Sequence, residues 1–299
     1  MRILFCCDPL QLREPDEAYQ REVNAAERAG LMYSLIDFDA FTREDNVARA
    51  VRRVGPLSAP ELTIYRGWML RPEVYGRLEK ALRQRNVILL NDEQAYRHCH
   101  YLPESYTAIR AYTPSTVWLH SGRDVDMNVI MEILRPFGSK PVIVKDFVKS
   151  RKHEWFDACY ISAANERGEV ERVVNNFVAR QDEASWHEGL VFREFVQLEP
   201  LAKHSKSGMP LSREYRRFYL DGRLIAEAPY WDEGVYGNMR PPEELFQEVV
   251  RNVKSRFFTM DIARRKNGDW LIVELGDGQV AELPQSVDID AFYHELAGA

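Results

Sequence analysis

Two acidic residues on one hairpin have the types and the spacing to bind a cation. The segment "MDIARRKNGDWLIVEL", residues 260–275, reads as two strands around Asn267-Gly268, a dipeptide that favours a two-residue type I′ turn. That turn fixes which residues of the two strands face each other. The predicted facing pairs are Lys266–Asp269, Ala263–Ile272 and Asp261–Glu274. The last pair places two carboxylates about 5 Å apart on one face of the sheet.

Like charges that face each other destabilise a sheet, so this pair needs an explanation. A hard divalent cation between the carboxylates would remove the cost, and oxygen ligands suit Mg²⁺. The ordinary alternatives are a shared proton or side chains that turn into solvent. The opposite face of the hairpin is predicted to be core, with Met260, Ile262, Leu271, Val273 and Leu275.

A basic segment follows a second apolar strand. In "KPVIVKDFVKSRKH", Lys145 ends the strand, and a loop then carries Lys149, Ser150, Arg151 and Lys152. Ammonium groups in such a loop are suited to cover a polyphosphate. The alternative is a solvated basic loop, and the sequence contains neither a Walker motif nor G-x-G-x-x-G.

The segment "GLVFREFVQLEP" is predicted to be a strand that runs into a connection between lobes. Its backbone could bond the edge of an adenine, Phe195 and Val196 could contact the base, and Glu199 could accept from ribose hydroxyls. An ordinary core strand explains the same residues.

The segment "SREYRRFYLDGR" is predicted to place Glu214 and Arg216 on one face of a strand, with Phe218 and Leu220 behind them. An arginine beside an acid and near a metal site suits a transferring phosphoryl group. The alternative is an ion pair on a solvated face.

The composition excludes several broad classes of protein. The 299-residue chain is 45% hydrophobic and 29% charged, as expected for a globular protein with a real core. Its net charge of −6 argues against general nucleic-acid binding, and no apolar run is long enough to span a membrane. We expect no secretory signal, and four cysteines without disulfide or zinc spacing indicate a reducing cytoplasm. In "YRHCHY", His98, Cys99 and His100 are adjacent and therefore poorly placed to chelate one metal.

The order of elements predicts three parts. Strands and helices alternate over residues 1–100, which indicates a small α/β domain with a parallel sheet. Two α+β lobes are predicted to follow, over residues 101–188 and 189–299, and the second contains the acidic hairpin.

Taken in order, these motifs resemble those of the ATP-grasp superfamily, in which two α+β lobes clamp ATP behind a smaller α/β domain. Lys145 matches the lysine at a strand end, "REFV" the connection that holds adenine, and Glu214-Tyr215-Arg216 the E-x-R strand. The resemblance covers about residues 100–285. The segments "YRGWML", "KPVIVKDFVKSRKH" and "ELGDGQVAELP" further resemble a small, mostly uncharacterised bacterial and phage clade of this superfamily.

The resemblance implies ATP and Mg²⁺ as cofactors and a set of site residues. The implied catalytic residues are Arg216 and Lys145. The implied cofactor-binding residues are Lys145, Lys149, Lys152, Glu194, Phe195, Val196, Glu199, Glu214 and Arg216. The implied metal ligands are Asp261, Glu274 and Asp277.

One departure from the family concerns the second metal strand, which usually reads E-x-N. Here Gly276 replaces the asparagine, so Asp277, Gln279 or water would have to supply the third ligand. Gln279 is also a candidate substrate-binding residue. So is Arg66, which could bind a substrate carboxylate or be a buried structural arginine.

The implied reaction is ATP-dependent ligation of a carboxylate and an amine through an acyl-phosphate, with release of ADP and phosphate. The expected partners are small-molecule or peptide carboxylates and amines, and a homodimer remains possible. One alternative is an ATP-binding protein that has lost ligation. Another is an ATP-dependent phosphotransferase.

Overall fold

The computed structural model describes residues 1–181, 186–205 and 210–298. The first part is built on a parallel sheet in the order β2-β1-β3-β4. Its strands are β1 (Arg2–Cys6), β2 (Met32–Ile36), β3 (Glu61–Arg66) and β4 (Val87–Leu89). The apolar strands are buried between helices on both faces, as the alternation of strand and helix patterns predicts.

The helices of the first part begin at residues that favour helix starts. Pro72 stands at the start of α4, and the Asp92 carboxylate accepts from the Ala95 amide before α5. The predicted helical connector breaks after His100, and Pro103 lies in the first turn of the next helix. The helices are α1 (Gln20–Arg28), α2 (Phe38–Thr42), α3 (Val47–Ala50), α4 (Pro72–Arg83), α5 (Glu93–His100) and α6 (Leu102–Ile109).

The second part, which we call the N-lobe, has an antiparallel sheet in the order β5-β8-β6-β7. Its elements are β5 (Thr116–His120), α7 (Met127–Leu134), β6 (Val142–Asp146), α8 (Trp155–Ala158), β7 (Tyr160–Ile161), α9 (Arg167–Ala179) and β8 (Gly189–Glu194). β8 pairs with both β5 and β6 at the centre of this sheet, so a lobe boundary at residues 188/189 separates β8 from its sheet partners.

The third part, the C-lobe, carries an antiparallel sheet in the order β12-β11-β13-β14. Its elements are β9 (Pro200–Lys203), β10 (Pro210–Ser212), β11 (Glu214–Leu220), β12 (Arg223–Pro229), α10 (Gln247–Asn252), β13 (Phe257–Arg264), β14 (Trp270–Asp277) and α11 (Ile289–Ala297). One sheet face packs on α6 and α10, while α11 returns to the first part, packs against α1 and shares a buried cluster with residues of β1. Among the described residues, no helix is long and apolar enough to cross a membrane.

Candidate active site

The two hairpin carboxylates lie opposite each other, as predicted. Asp261 on β13 pairs with Glu274 on β14, and Arg216 on β11 pairs with Asp261 from the other side. The three side chains therefore share one face of the C-lobe sheet, which faces the N-lobe.

The predicted turn, however, is wrong. Of its two central residues, Gly268 has a positive φ of 96° and Asn267 does not, whereas a type I′ turn needs both. The Arg265 amide donates to the Asp269 carbonyl at 2.8 Å, so the loop is one residue longer than predicted. The pairs next to it are shifted accordingly. Ala263 faces Leu271 and not Ile272.

A β-bulge in β14 compensates for the longer loop. Ile262 pairs with Ile272 and Asp261 pairs with Glu274, so Val273 is an extra residue on β14. The bulge also changes the predicted core face. Ile272 packs in the core beside Ile262, while Leu271 lies on the face of Ala263 and Val273 is half-buried.

Each carboxylate of the pair already has a cationic partner. Arg216 donates to both oxygens of Asp261, at 2.8 Å each. Lys145 Nζ lies 3.3 Å from Glu274 Oε2 and joins the N-lobe to the hairpin. Burial alone would raise the pKa of Glu274, but the surrounding cations, led by Lys145, hold it below its ordinary value. The facing acids are therefore compensated without a metal ion, by cations that lie outside the hairpin sequence.

Glu214 lies two residues before Arg216 on β11, so the two side chains share one face of the sheet. Glu214 is only 8% exposed. Burial, reinforced by the nearby charges of Asp261 and Glu274, raises its pKa to about 7, against a hydrogen bond from Ser212. A carboxyl group with this pKa changes its protonation near neutral pH, which is a property of acid–base groups in enzymes.

The basic loop lies at the mouth of the cleft between the lobes. The Asp146 carboxylate fixes its start by accepting from the amides of Val148 and Lys149, and it also contacts His187 at 3.2 Å. Both Lys149 and Lys152 are exposed. The Lys152 ammonium lies 5.2 Å from the ring centre of Trp231 in the C-lobe. This loop therefore spans the cleft beside the carboxylate pair.

An aromatic cluster stands at the end of β8. Phe195 contacts Tyr160 edge-on at 5.2 Å between ring centres, and Tyr160 stacks on Trp155 at 5.4 Å. Its neighbour Glu194 pairs with Lys140 at 2.9 Å. Sequence reasoning missed Trp155 and Tyr160, although the aromatic residues after the basic cluster were the available signal.

The remaining residues of the lobe connection differ in burial and in their ion-pair partners. Val196 is half-buried. The carboxylate of Glu199 pairs with Arg213 at 2.8 Å and with Arg264 at 2.6 Å. Glu199 thus already has two cationic partners, and any contact with ribose would compete with them.

Three predicted site residues lie outside the cleft. Asp277 points to the opposite face of β14, where Asn91 donates to it at 2.6 Å. Gln279 is fully buried and donates to the Tyr75 hydroxyl at 2.7 Å. Arg66 is 1% exposed and makes two bonds to Glu22, at 2.8 and 2.9 Å. The structure does not bring Asp277 to the carboxylate pair, and it favours the structural alternative for Arg66.

Gly276 faces the cleft two residues after Glu274, at the position of the missing asparagine. A Cβ atom there would lie only 2.6 Å from the hydroxyl of Thr259, which pairs with Gly276 across the hairpin. A larger side chain would have to displace Thr259. The described residues contain no group of three or more acidic, histidine or cysteine side chains arranged to hold a metal ion. The carboxylates of Asp261 and Glu274 are oxygen donors of the kind that suits Mg²⁺.

A cavity of about 270 Å³ opens beside Arg216, which sequence reasoning did not find. Tyr230 forms one wall, with its ring centre 4.7 Å from the Arg216 guanidinium carbon. The other lining residues are His204, Leu211, Trp231, Asp232, Glu233, Glu282, Leu283, Pro284 and Gln285.

Comparison with known proteins is informative at the level of family and fold. Residues 136–296 match the family model described as ATP-grasp domain, R2K clade family 3. No curated protein matches the chain in sequence. An ATP-grasp RimK domain protein from Sphaerobacter thermophilus superposes with a TM-score of 0.60 at 12% identity, over 100% of both chains.

Two further solved structures have the same fold. The ATP-grasp ligase PsnB, in complex with a minimal precursor, Mg and ADP, gives a TM-score of 0.57 at 13% identity, covering 99% of this chain and 95% of PsnB. The D-alanine–D-alanine ligase from Coxiella burnetii gives a TM-score of 0.58 at 13% identity, covering 99% of this chain and 90% of that one.

Proposed function

Because the chain belongs to the ATP-grasp superfamily, in family 3 of the R2K clade, we propose that it is an ATP-dependent carboxylate–amine ligase. The observation that carries the proposal is the convergence of Lys145 and Arg216 on the facing carboxylates of Glu274 and Asp261. The N-lobe thereby supplies one cation, and the C-lobe supplies a second cation and the carboxylate oxygens, at the same place in the cleft. Transfer of a phosphoryl group needs this arrangement, because negative charge must be balanced on several oxygens at once.

We propose that ATP lies in the cleft between the two lobes. The adenine would contact the aromatic cluster around Phe195 and the backbone of residues 194–196. The phosphates would be bound by Lys145, Lys149 and Lys152. The nucleotide would also be contacted by Glu194, Glu199 and Glu214. Asp261 and Glu274 would hold Mg²⁺, which when bound neutralises charge on the phosphates.

The proposed reaction has two steps. An oxygen of the substrate carboxylate attacks the γ-phosphorus and the bond to ADP breaks, which gives an acyl-phosphate. An amine nitrogen then attacks the acyl carbon and phosphate leaves, while the nitrogen loses a proton. Arg216, which borders the cavity, is placed to stabilise the phosphoryl group during transfer.

The similar structures support this proposal through their own ligands. PsnB was solved with Mg, ADP and a minimal precursor, and the Coxiella protein is a D-alanine–D-alanine ligase. We propose peptides or small carboxylates and amines as substrates, and the cavity beside Arg216 as a place for one of them. The four buried free thiols support a cytoplasmic location. We further propose domain limits of 1–100, 101–194 and 195–299, with β8 moved to the N-lobe.

Gly276, at the position where the family usually has an asparagine ligand, favours a second candidate, a protein that binds ATP without ligating. A screen of amino acids, small acids and peptides for ADP release, followed by mass analysis of products, separates the candidates. A product whose mass is one water less than the summed mass of its two substrates supports ligation. A phosphate ester indicates a phosphotransferase, and ATP binding without ADP release supports the binding protein.

A further inference from the structure

Arg193 on β8 is a buried arginine that the proposed chemistry does not use. Arg193 is 5% exposed, and within the described part of the chain its guanidinium forms no ion pair with a carboxylate. Its Nε atom is buried without a hydrogen-bond partner. Burying a guanidinium in this way costs free energy, so its contacts need an explanation.

Those contacts all lie at the β14 bulge. Nη1 donates to the Val273 carbonyl, and Nη2 donates to the Ile272 carbonyl at 3.2 Å and to Thr113 Oγ1. The Thr113 hydroxyl donates to the same Ile272 carbonyl at 2.7 Å. Because β14 is an edge strand, these carbonyls have no further strand to pair with. Arg193 and Thr113 satisfy them instead.

The bulge decides where Glu274 points. From the turn to Ile262–Ile272, the residue numbers of each pair sum to 534, and at Asp261–Glu274 they sum to 535. Without the bulge, Asp261 would face Val273, and Glu274 would turn to the opposite face. The carboxylate pair therefore exists in this sequence only while the bulge is formed.

Lys145 and Arg193 lie on the same face of the N-lobe sheet, since Lys145 pairs with Val191, two residues before Arg193 on β8. Lys145 contacts the Glu274 carboxylate and Arg193 contacts the carbonyls of the two preceding residues. Two N-lobe cations thus contact three consecutive residues of the acidic hairpin, Ile272, Val273 and Glu274.

We propose that Arg193 is a positioning residue that holds the β14 bulge and thereby keeps Glu274 opposite Asp261 for metal binding. The inference rests on the proposed function only where Mg²⁺ is concerned. The geometry of the bulge itself can be tested without any ligand.

The first test measures ADP affinity with Mg²⁺ and with EDTA. In Arg193→Met we expect metal-free affinity close to that of the wild type, while the gain from Mg²⁺ falls roughly 10-fold or more, as for other residues that orient metal ligands. Arg193→Lys keeps the charge and one donor and should recover part of the gain. Arg217→Met is the matched control. Arg217 is equally buried but bonds Glu227 and the carbonyls of residues 241 and 242, so its loss should leave the gain unchanged.

The second test is hydrogen exchange of backbone amides without ligand. Arg193→Met should speed exchange at residues 271–275 while β11 keeps its wild-type rates, and Arg217→Met should not reproduce this pattern.

A third variant separates the bulge from other effects of Arg193. Deleting Val273 gives a regular ladder in which Glu274 still faces Asp261, so Arg193 is no longer needed for that pairing. If the deletion alone keeps the Mg²⁺ gain, adding Arg193→Met to it should cost little.

Three results would overturn the proposal. One is unchanged exchange at residues 271–275 in Arg193→Met. Another is faster exchange with the full Mg²⁺ gain retained, and the third is a deletion background in which Arg193→Met remains as harmful as before. A wild type that binds no ADP counts against the proposed function instead, and the exchange result still decides whether Arg193 holds the bulge.

Discussion

Two ion-pair clusters in this molecule are built differently. Arg66 and Glu22, where the first part meets the end of β14, have side chains 1% and 10% exposed, and the other Arg66 donors reach the carbonyls of Gly278 and Ala281. In the cleft, the Lys145 side chain is 6% exposed, but that of its partner Glu274 is 40% exposed. In the first cluster the Arg66 donors are divided between the Glu22 carboxylate and backbone carbonyls, all of them buried, so this cluster stabilises the fold. A pair that leaves its carboxylate open to solvent can exchange its partner for a ligand.

The largest effect should come from breaking the closed cluster. Arg66→Met leaves the Glu22 carboxylate buried beside Tyr293 without its cation, and we expect a loss of about 3–5 kcal/mol in the free energy of unfolding. Urea unfolding measures this. ADP affinity of the folded variant should be unchanged, and a specific loss of affinity at full stability would show that Arg66 belongs to the site.

A pH series sharpens the comparison for the cleft. The pKa of Glu214 is raised to about 7 in the folded protein, above its ordinary value of 4.5. The unfolded chain loses this proton first as pH rises, so the free energy of unfolding falls between about pH 4.5 and 7, by an amount of order 3 kcal/mol. Glu214→Gln should lack this component. The stability difference between variant and wild type, measured from pH 5 to 7.5, should therefore grow in favour of the variant. A constant difference would contradict the raised pKa.

Glu274→Gln tests whether the open pair exchanges its partner. Without ligand, the unfolding free energy should change by less than about 1 kcal/mol, because the pair with Lys145 is partly exposed. With Mg-ATP at a hundredfold excess over Kd, the wild type gains about 2.7 kcal/mol and the variant should gain less. Melting temperatures of both proteins in both conditions give the comparison. An equal gain in the variant would make Glu274 a structural residue.

The last comparison is between two lysines, and the smallest expected effect on ATP affinity is that of Lys266→Ala. Lys145→Ala should weaken ATP binding roughly 10- to 100-fold through loss of a charge-assisted bond, with modest loss of stability. Lys266→Ala, on the exposed turn, should change affinity by less than about twofold. Equilibrium binding of a fluorescent ATP analogue measures both, and equal effects would remove Lys145 from the phosphate site.

Local patterns predicted much of the fold, because alternating strands and helices follow from short-range physics, and the order of the motifs added the resemblance to the superfamily. The pairing of Asp261 with Glu274 was right for an incomplete reason. The turn at Asn267-Gly268 is one residue longer than its dipeptide predicts, and the bulge at Val273 cancels the shift. No local signal marks that bulge, because the groups that satisfy it, Arg193 and Thr113, come from distant segments.

Long-range packing also determines features that the sequence left open. A strand such as β8 shows no preference in its sequence for either lobe, and only pairing with β5 and β6 places it. Similarly, Arg66 and Gln279 looked available for a substrate, because the sequence does not reveal that Glu22 and Tyr75 occupy their donors.

The junction around Arg66 has a mechanical consequence. Asp277 bonds Asn91, Gln279 bonds Tyr75, and α11 packs into the core of the first part, so β14 is anchored there by buried contacts. The first part and the C-lobe sheet are therefore joined by buried side-chain contacts. The N-lobe meets this joined unit at the hairpin through the Lys145–Glu274 pair, so widening the cleft at that point requires this pair to break.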